Sequence, residues 1–579
     1  MTHLSIIRVM VCAVCLLVSA CNQQSSQEVT HESSEADVST DTTQAVQTKS
    51  AKRSRPNLLL IVADDLGYTD LGVYGGEIDT PNIDGLARDG LILTDFHNKA
   101  VCAPTRAALL SGTDNRNAGG AMHQTPNQKE VPGYESELNQ DIVPFPQLLR
   151  DGGYNTYMAG KWHLGSDKHQ LPIARGFTRS FSLMQGGASH YEDGRGMFHF
   201  QRVGKYVEDN DPVEKLPKGF YSSDFYTDYI IDAIDKDANS KKPWFAYLSF
   251  TAPHWPLHAP DEFVAKYKGK YDAGYDVLRS SRIANGKKLG VIPASAEAYP
   301  KLQSIVDWDS LSEEQQKIAA REMEIYAAMV DSLDKNVGRL VQHLKDIGQY
   351  ESTYIMFIAD NGAEGADRDP GANGTDWTFD NSFENMGKVN SHIYYGAKWA
   401  QAGVGVGRYY KSYASEGGIR GPAIIHNSQL SKKGQISDAF ASVVDVAPTF
   451  LELAGVEHAK INAKGEAAQP IQGVSMVPFT LGAAETVRED DFVFGWEVFG
   501  HRAIRRGDWK LLWLTSKPAE RRQVIAEKAD KWGLYNMAND PGEVNDLSQQ
   551  HPEIVAELLK HWDDYVATNG IVLPVREKK

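Results

Sequence analysis

Cysteine is almost missing from this chain: four among 579 residues, three of them within the first 21. That excludes a small fold stapled by disulfides. Positive charge is also in deficit. Asp and Glu number 76 against 60 Lys and Arg, a net charge of −16, which argues against a general nucleic-acid binder. It leaves room for a locally basic pocket, because net charge speaks to solubility and non-specific partners. No apolar run approaches the roughly 20 residues that a membrane-spanning helix needs. No internal repeat is visible. Gly403-Val404-Gly405-Val406-Gly407 imitates a nucleotide loop only in its glycines, since no helix-opening pattern follows.

The apolar run at residues 9–18 suits the core of a signal peptide. It ends in Val18-Ser19-Ala20-Cys21, which resembles a bacterial lipoprotein cleavage site. On that reading residues 1–20 are removed and Cys21 carries the lipid. The protein is then anchored in the bacterial cell envelope, periplasmic or on the outer membrane, through that lipid alone. Residues 21–54 are rich in Ser, Thr, Gln and Glu. They have too little apolar surface to order themselves and read as a disordered tether. Cys102 is left as the one thiol of the mature chain, and a lone cysteine in an exported protein is a flag for special chemistry.

From residue 55 the texture is that of an ordinary globular core. Residues 57–63, 244–250 and 354–359 are continuous apolar runs of the kind found in strands buried on both faces. An amphipathic stretch follows Ser312, with Ile318, Met323, Tyr326, Val330, Leu333 and Val337 at helical spacing and Glu313-Glu314 as a start signal. Alternating strands and helices predict an α/β domain over 55–482, a large mostly parallel sheet sandwiched by helices. Residues 483–579 read as a smaller α+β unit of short antiparallel strands closed by a helix from Pro552.

Polar residues that follow strands in such a sheet converge on one crevice. Asp64-Asp65, His254 and Asp360-Asn361 all do so. Adjacent carboxylates repel unless a cation lies between them, so the four Asp and Asn positions predict a divalent metal, calcium first and magnesium as the alternative. Cys102 opens a helix with Pro104 in its first turn, and Arg106 falls one turn later on the same side. In Lys161-Trp162-His163 an extended backbone would turn Lys161 and His163 to one side. His258 has no such company and reads as structural.

Cys102-Ala-Pro104-Thr-Arg106 followed by Leu-Leu-Ser-Gly resembles the signature of the type I sulfatases, within the alkaline-phosphatase-like superfamily. Ser111 stands where that family more often has Thr. The run 153–165 containing Gly160-Lys161-Trp162-His163 resembles the second sulfatase motif. Pro253-His254 and Lys411, five residues before Glu416-Gly417-Gly418, also match, and the whole looks closest to bacterial arylsulfatases. The resemblance implies that a maturing, formylglycine-generating enzyme converts Cys102 to formylglycine. It implies a metal held by Asp64, Asp65, Asp360 and Asn361 against position 102. It further implies that Arg106, Lys161 and Lys411 neutralise the sulfate, that His254 and Lys411 protonate the leaving oxygen, and that His163 takes a proton from the hydrated aldehyde. The substrate would be an aryl sulfate or sulfated carbohydrate. Two other readings compete: a phosphatase or phosphodiesterase on the same fold, and an inactive glycan-binding surface lipoprotein. The aromatic-rich segment between Asn361 and Lys411, with Trp377, Phe379, Phe383, Tyr394, Tyr395 and Trp399, is expected to wall the pocket together with residues 185–199.

Overall fold

The three apolar runs lie side by side at the centre of one sheet. The computed structural model describes residues 55–574 except 123–124, 129, 366–377 and 517–528. The expected signal peptide, Cys21 and the tether therefore lie outside the described residues. Five parallel strands form the middle of a ten-stranded sheet, in the spatial order Thr353–Ala359, Asn57–Ala63, Trp244–Ser249, Asn155–Lys161, Arg179–Leu183. Antiparallel strands flank this centre. Ala423–His426 lies beside Thr353–Ala359, and Tyr206–Glu208 beside Arg179–Leu183. The sheet is thus parallel where it is deepest and mixed at its margins.

Burial on both faces explains why the strands read as unbroken apolar runs. Leu59, Ile61 and Ala63 belong to one apolar cluster, while Leu58, Leu60 and Val62 belong to another across the sheet. Successive side chains of a strand point to opposite faces, so each face needs its own covering layer. Helix Glu313–Asp346 covers the first face through Met323, Tyr326, Leu333 and Val337. Helices Cys102–Ser111 and Val446–Ala454 cover the second. The long helix begins where its sequence signals it. Ser312 Oγ accepts a hydrogen bond from the Gln315 N–H, and the Ser312 N–H donates in return to Gln315 Oε1. Ile318 departs from the expected stripe: it is 38% exposed, because it precedes the part of the helix that meets the sheet layer.

The C-terminal strands Val493–Val498, His501–Arg506, Trp509–Trp513 and Trp532–Asn536 form an antiparallel meander. Its two faces have different partners. Ile504, Leu511 and Leu534 pack with Leu558 and Trp562 of helix Pro552–Thr568. Ala503, Leu512 and Tyr535 join the main core instead. Residues 54–579 consequently form one compact unit. Among the described residues, no helix is long and apolar enough to cross a membrane.

Candidate active site

Most of the reactive side chains sit where a regular element begins or ends, while Arg106 lies one turn inside a helix and His254 and Lys411 stand in loops. Val101 is extended, Cys102 opens a ten-residue helix, and Gly112 closes it in the left-handed conformation that glycine adopts without strain. Asp64 and Asp65 follow Asn57–Ala63, and Asp360 and Asn361 follow Thr353–Ala359. The register Ala63 to Ala359 sets the two acidic pairs side by side. Lys161 ends its strand. His163 lies just beyond it with φ +57°, so the chain has left the extended conformation. The expected strand geometry for Lys161 and His163 is therefore wrong. Lys161 points into the buried acidic cluster while His163 lines the cleft above.

The ten predicted residues converge. Cys102 Sγ is 3.3 Å from Asp64 Oδ1 and 3.9 Å from Asp65 Oδ1. Lys161 Nζ lies 2.6 Å from Asp64 Oδ2, and Lys411 Nζ 2.7 Å from Asp65 Oδ1. Arg106 donates from Nε to Asp360 Oδ2 at 3.0 Å, with Nη2 2.8 Å from the same oxygen. Its Nη1 donates to the Lys161 carbonyl at 3.0 Å and to Ser249 Oγ. The Asn361 amide donates to Asp65 Oδ1 at 2.6 Å. His254 Nε2 stands 3.5 Å from Asp65 Oδ2.

Burial and mutual charge set the protonation of this cluster. Asp64 is pushed up to about 7 by desolvation and by Asp360, against the pull of Lys161. Asp65 is also raised, chiefly by desolvation. Asp360 goes the other way: burial opposes its charge, but Arg106, Lys161 and Lys411 hold it below the usual carboxylate range. Burial, followed by Asp64, pushes the Cys102 thiol up, so an unmodified cysteine here is a poor thiolate. His163 is driven well down by burial and by the neighbouring Lys161 and Arg106. It is neutral, and its Nδ1 has no hydrogen-bond partner.

These residues fit a hard divalent cation. Asp65 Oδ2 and Asn361 Oδ1 are buried oxygens that receive no hydrogen bond, a costly state unless something else meets their lone pairs. Ligand atoms of Asp64, Asp65, Cys102 and His254 all lie within 4.8 Å of one another. Oxygen donors from carboxylates and an amide are the set calcium or magnesium takes. A second grouping, Asp95, His97 and Glu416, is neutralised by Arg505 and Lys510 and does not reach Cys102.

Above the cluster opens a cleft of about 720 Å³, floored by Cys102, His163, His254 and Lys411. Phe198 and Phe200 of a hairpin, Trp255, and Phe499 from the C-terminal meander form its walls. Residues 185–199 thus supply Gln185, Gly186, Met197 and Phe198 to the cleft as expected. The segment 379–399 does not supply its aromatics. Trp399 is fully buried against Tyr271, Tyr275 and Trp308, and Tyr395 stacks on Tyr326. Phe383 lines a different cavity, Phe379 packs on His392, and Tyr394 lies against the main core. Those rings fill the flank of the fold because the segment packs over the long helix; Trp377 lies outside the described residues. His258 is structural, bonded to the Ser391 carbonyl and the His190 N–H. Glu364 was not foreseen. It pairs with Lys411 at 3.2 Å, and its place three residues after Asn361 was the available signal.

Comparison with known proteins gives this constellation its family. The sulfatase family pattern matches residues 56–456. This chain belongs to the sulfatase family. A further pattern, the C-terminal part of N-sulphoglucosamine sulphohydrolase, matches residues 405–567. The sulfatase is 41% identical over 540 residues to an uncharacterized sulfatase of Schizosaccharomyces pombe, covering 90% of this chain and 96% of the relative. It is 37% identical over 430 residues to the arylsulfatase of Klebsiella aerogenes, covering 74% and 92%. Among solved structures, Ps i-CgsB in complex with k-i-k-neocarrahexaose matches with a TM-score of 0.63 over 88% of this chain and 93% of that one, at 24% identity. The fold is that of the alkaline-phosphatase-like superfamily, and the sulfatase is a sulfuric ester hydrolase.

Proposed function

We propose that this sulfatase hydrolyses aryl or carbohydrate sulfate monoesters through a formylglycine made from Cys102. The carrying observation is the placement of Cys102 at a helix start, 3.3 Å from Asp64 and ringed by Arg106, Lys161 and Lys411. Hydrated formylglycine would supply one hydroxyl to take the sulfuryl group and a second whose deprotonation re-forms the aldehyde and releases sulfate. A calcium or magnesium ion held by Asp64, Asp65, Asp360 and Asn361 would add positive charge where the sulfate oxygens sit.

The chain's own groups do the rest. Arg106, fixed by Asp360 and the Lys161 carbonyl, and the Lys161 ammonium present preorganised positive charge to the anion. His254 Nε2 and Lys411 Nζ, both at the cleft floor, are placed to give a proton to the departing oxygen. His163, kept neutral by burial and by Lys161 and Arg106, lines the same cleft and is placed to accept one. Phe198, Phe200, Trp255 and Phe499 give the leaving group flat apolar walls that keep water from it. These suit an aromatic ring or the face of a sugar.

The lipid anchor at Cys21 and residence in the bacterial cell envelope belong to the same proposal, as does a dedicated maturing enzyme. Replacing Cys21 with Ser should release the protein from the membrane fraction. Mass spectrometry of the peptide carrying position 102 tests the aldehyde: a loss of about 18 Da relative to cysteine is expected for formylglycine. Cys102→Ser should turn over once or very slowly. Multiple turnovers at the parental rate would refute the aldehyde reading. A panel of sulfated sugars beside 4-nitrophenyl sulfate then assigns the leaving group.

A further inference from the structure

Lys411 is carried by a loop whose backbone is strained on both sides of it. Tyr409 and Ser412, on either side of it, have φ of +54° and +80°, a left-handed conformation that non-glycine residues adopt only when their surroundings compensate. The loop is tied to the rest of the fold at several points, among them the Lys411 N–H, which donates to the Ala363 carbonyl at 3.0 Å. Ser412 N–H donates to the Ala100 carbonyl at 2.9 Å, so it touches the segment leading into Cys102. Its far end is Glu416, and Glu416 is gripped by the C-terminal meander.

That grip is a buried network of charged side chains. Lys510 Nζ lies 2.7 Å from Glu416 Oε1 and 2.7 Å from Glu543 Oε1. Glu543 Oε2 accepts the Glu416 backbone N–H at 3.0 Å. Glu416 Oε2 is 3.0 Å from His97 Nε2. The side chains of all four residues are no more than 1% exposed. His97 in turn belongs to the segment that runs into Cys102, and its ring packs between Phe440 and Trp496. The next residue is fixed as well: Trp496 Nε1 donates to the Asn98 carbonyl at 2.9 Å. Glu416 therefore joins the segment before Cys102, through His97, to the loop that bears Lys411, and the Lys510 ammonium braces that joint from outside the cleft, paired with Glu416 and 5.6 Å from the Trp496 ring centroid.

We propose that Lys510, supported by Glu543, is a positioning residue for catalysis that sets the spacing between position 102 and Lys411. Without the ammonium, the buried carboxylates of Glu416 and Glu543 lose the cation that holds them together, and the strained loop is free to pull Glu416 away. The Glu416 end of the loop moves, and Lys411 loses its aim at the leaving oxygen. The inference rests on the role given above to Lys411 as a proton donor. No group of the network touches the substrate.

The test is a leaving-group series on matured enzyme, with rates normalised to formylglycine content. A displaced proton donor harms poor leaving groups most, whereas a smaller folded fraction lowers every rate alike. Lys510→Met should lower kcat/KM for phenyl sulfate by about tenfold more than for 4-nitrophenyl sulfate. Lys411→Ala should show the same selective loss, and the double variant should add little to it. Lys510→Arg should recover part of the difference. Should Lys510→Met fold poorly, Glu543→Gln, which leaves the Lys510–Glu416 pair in place, should show the same selectivity in weaker form. Uniform loss across the series in Lys510→Met and Glu543→Gln, with selective loss in Lys411→Ala, overturns the inference alone. Uniform loss in Lys411→Ala overturns the proton-donor reading and the inference with it.

Discussion

Arg106 holds the site together more than its single charge suggests, and Arg106→Met measures by how much. The guanidinium is fully buried, donates from Nε to Asp360 and from Nη1 to the Lys161 carbonyl, and holds Nη2 2.8 Å from the same Asp360 oxygen. Methionine keeps the bulk and removes every donor. Deleting one partner of a buried ion pair costs about 3–5 kcal/mol, mostly because the other charge is stranded. Asp360 is that charge. In the parent its folded-state value lies below its unfolded one, so it contributes stability that is present above the ordinary carboxylate range and lost as pH falls. Without Arg106 the sign should weaken or reverse, so the variant suffers most at alkaline pH. Removing the stranded charge as well should relieve the cost. In the Asp360→Asn background, Arg106→Met should cost about 1–3 kcal/mol less than in the parent. Urea unfolding of the four proteins in chelator, at pH 6 and pH 8, reads the cycle. Additivity within about 0.5 kcal/mol would refute the claim that the two residues act as one unit.

Other outcomes follow from the same geometry. Asp64 sits at about 7 in the folded chain, above its unfolded value. In metal-free protein the stability it contributes is therefore present at acid pH and lost as pH rises from about 4 through 7. A cation that needs the carboxylate reverses that loss, so the calcium-induced rise in melting temperature should be larger at pH 8 than at pH 5.5. An equal rise at both would exclude Asp64 as a ligand. Gly160, with φ +114°, would place a Cβ 1.8 Å from the Ser249 carbonyl oxygen of the neighbouring strand. Gly160→Ala should yield little soluble protein, and a soluble variant of parental stability would show that the two strands separate more easily than the register implies.

What the sequence made legible was whatever is decided locally. An apolar run that stops in Asp64-Asp65, and another that stops in Asp360-Asn361, announce strand tips, and parallel pairing makes their convergence almost automatic. Cys102, Pro104 and Arg106 are ordered by one helical turn. Lys161 and His163 came to the right place for the wrong reason, since the backbone turns left-handed at His163 instead of running on extended. The aromatics of residues 379–399 were misplaced because a bulky apolar ring is equally at home in a wall or in a core. Phe499, Lys510 and Glu543 gave no signal in their neighbourhood. Lys510 and Glu543 meet Glu416 from 94 and 127 residues away, and only the docking of the meander brings them there.

The meander's division of labour limits what can be done with this protein. One side of it seats its own helix, while the other supplies Ala503, Leu512 and Tyr535 to the large core and Phe499 to the cleft. Shortening the gene at residue 482 would not yield a minimal catalyst but a raw apolar wound. Nor can those last hundred residues be exchanged for a relative's without carrying over the matching surface, so both parts must have diverged in step.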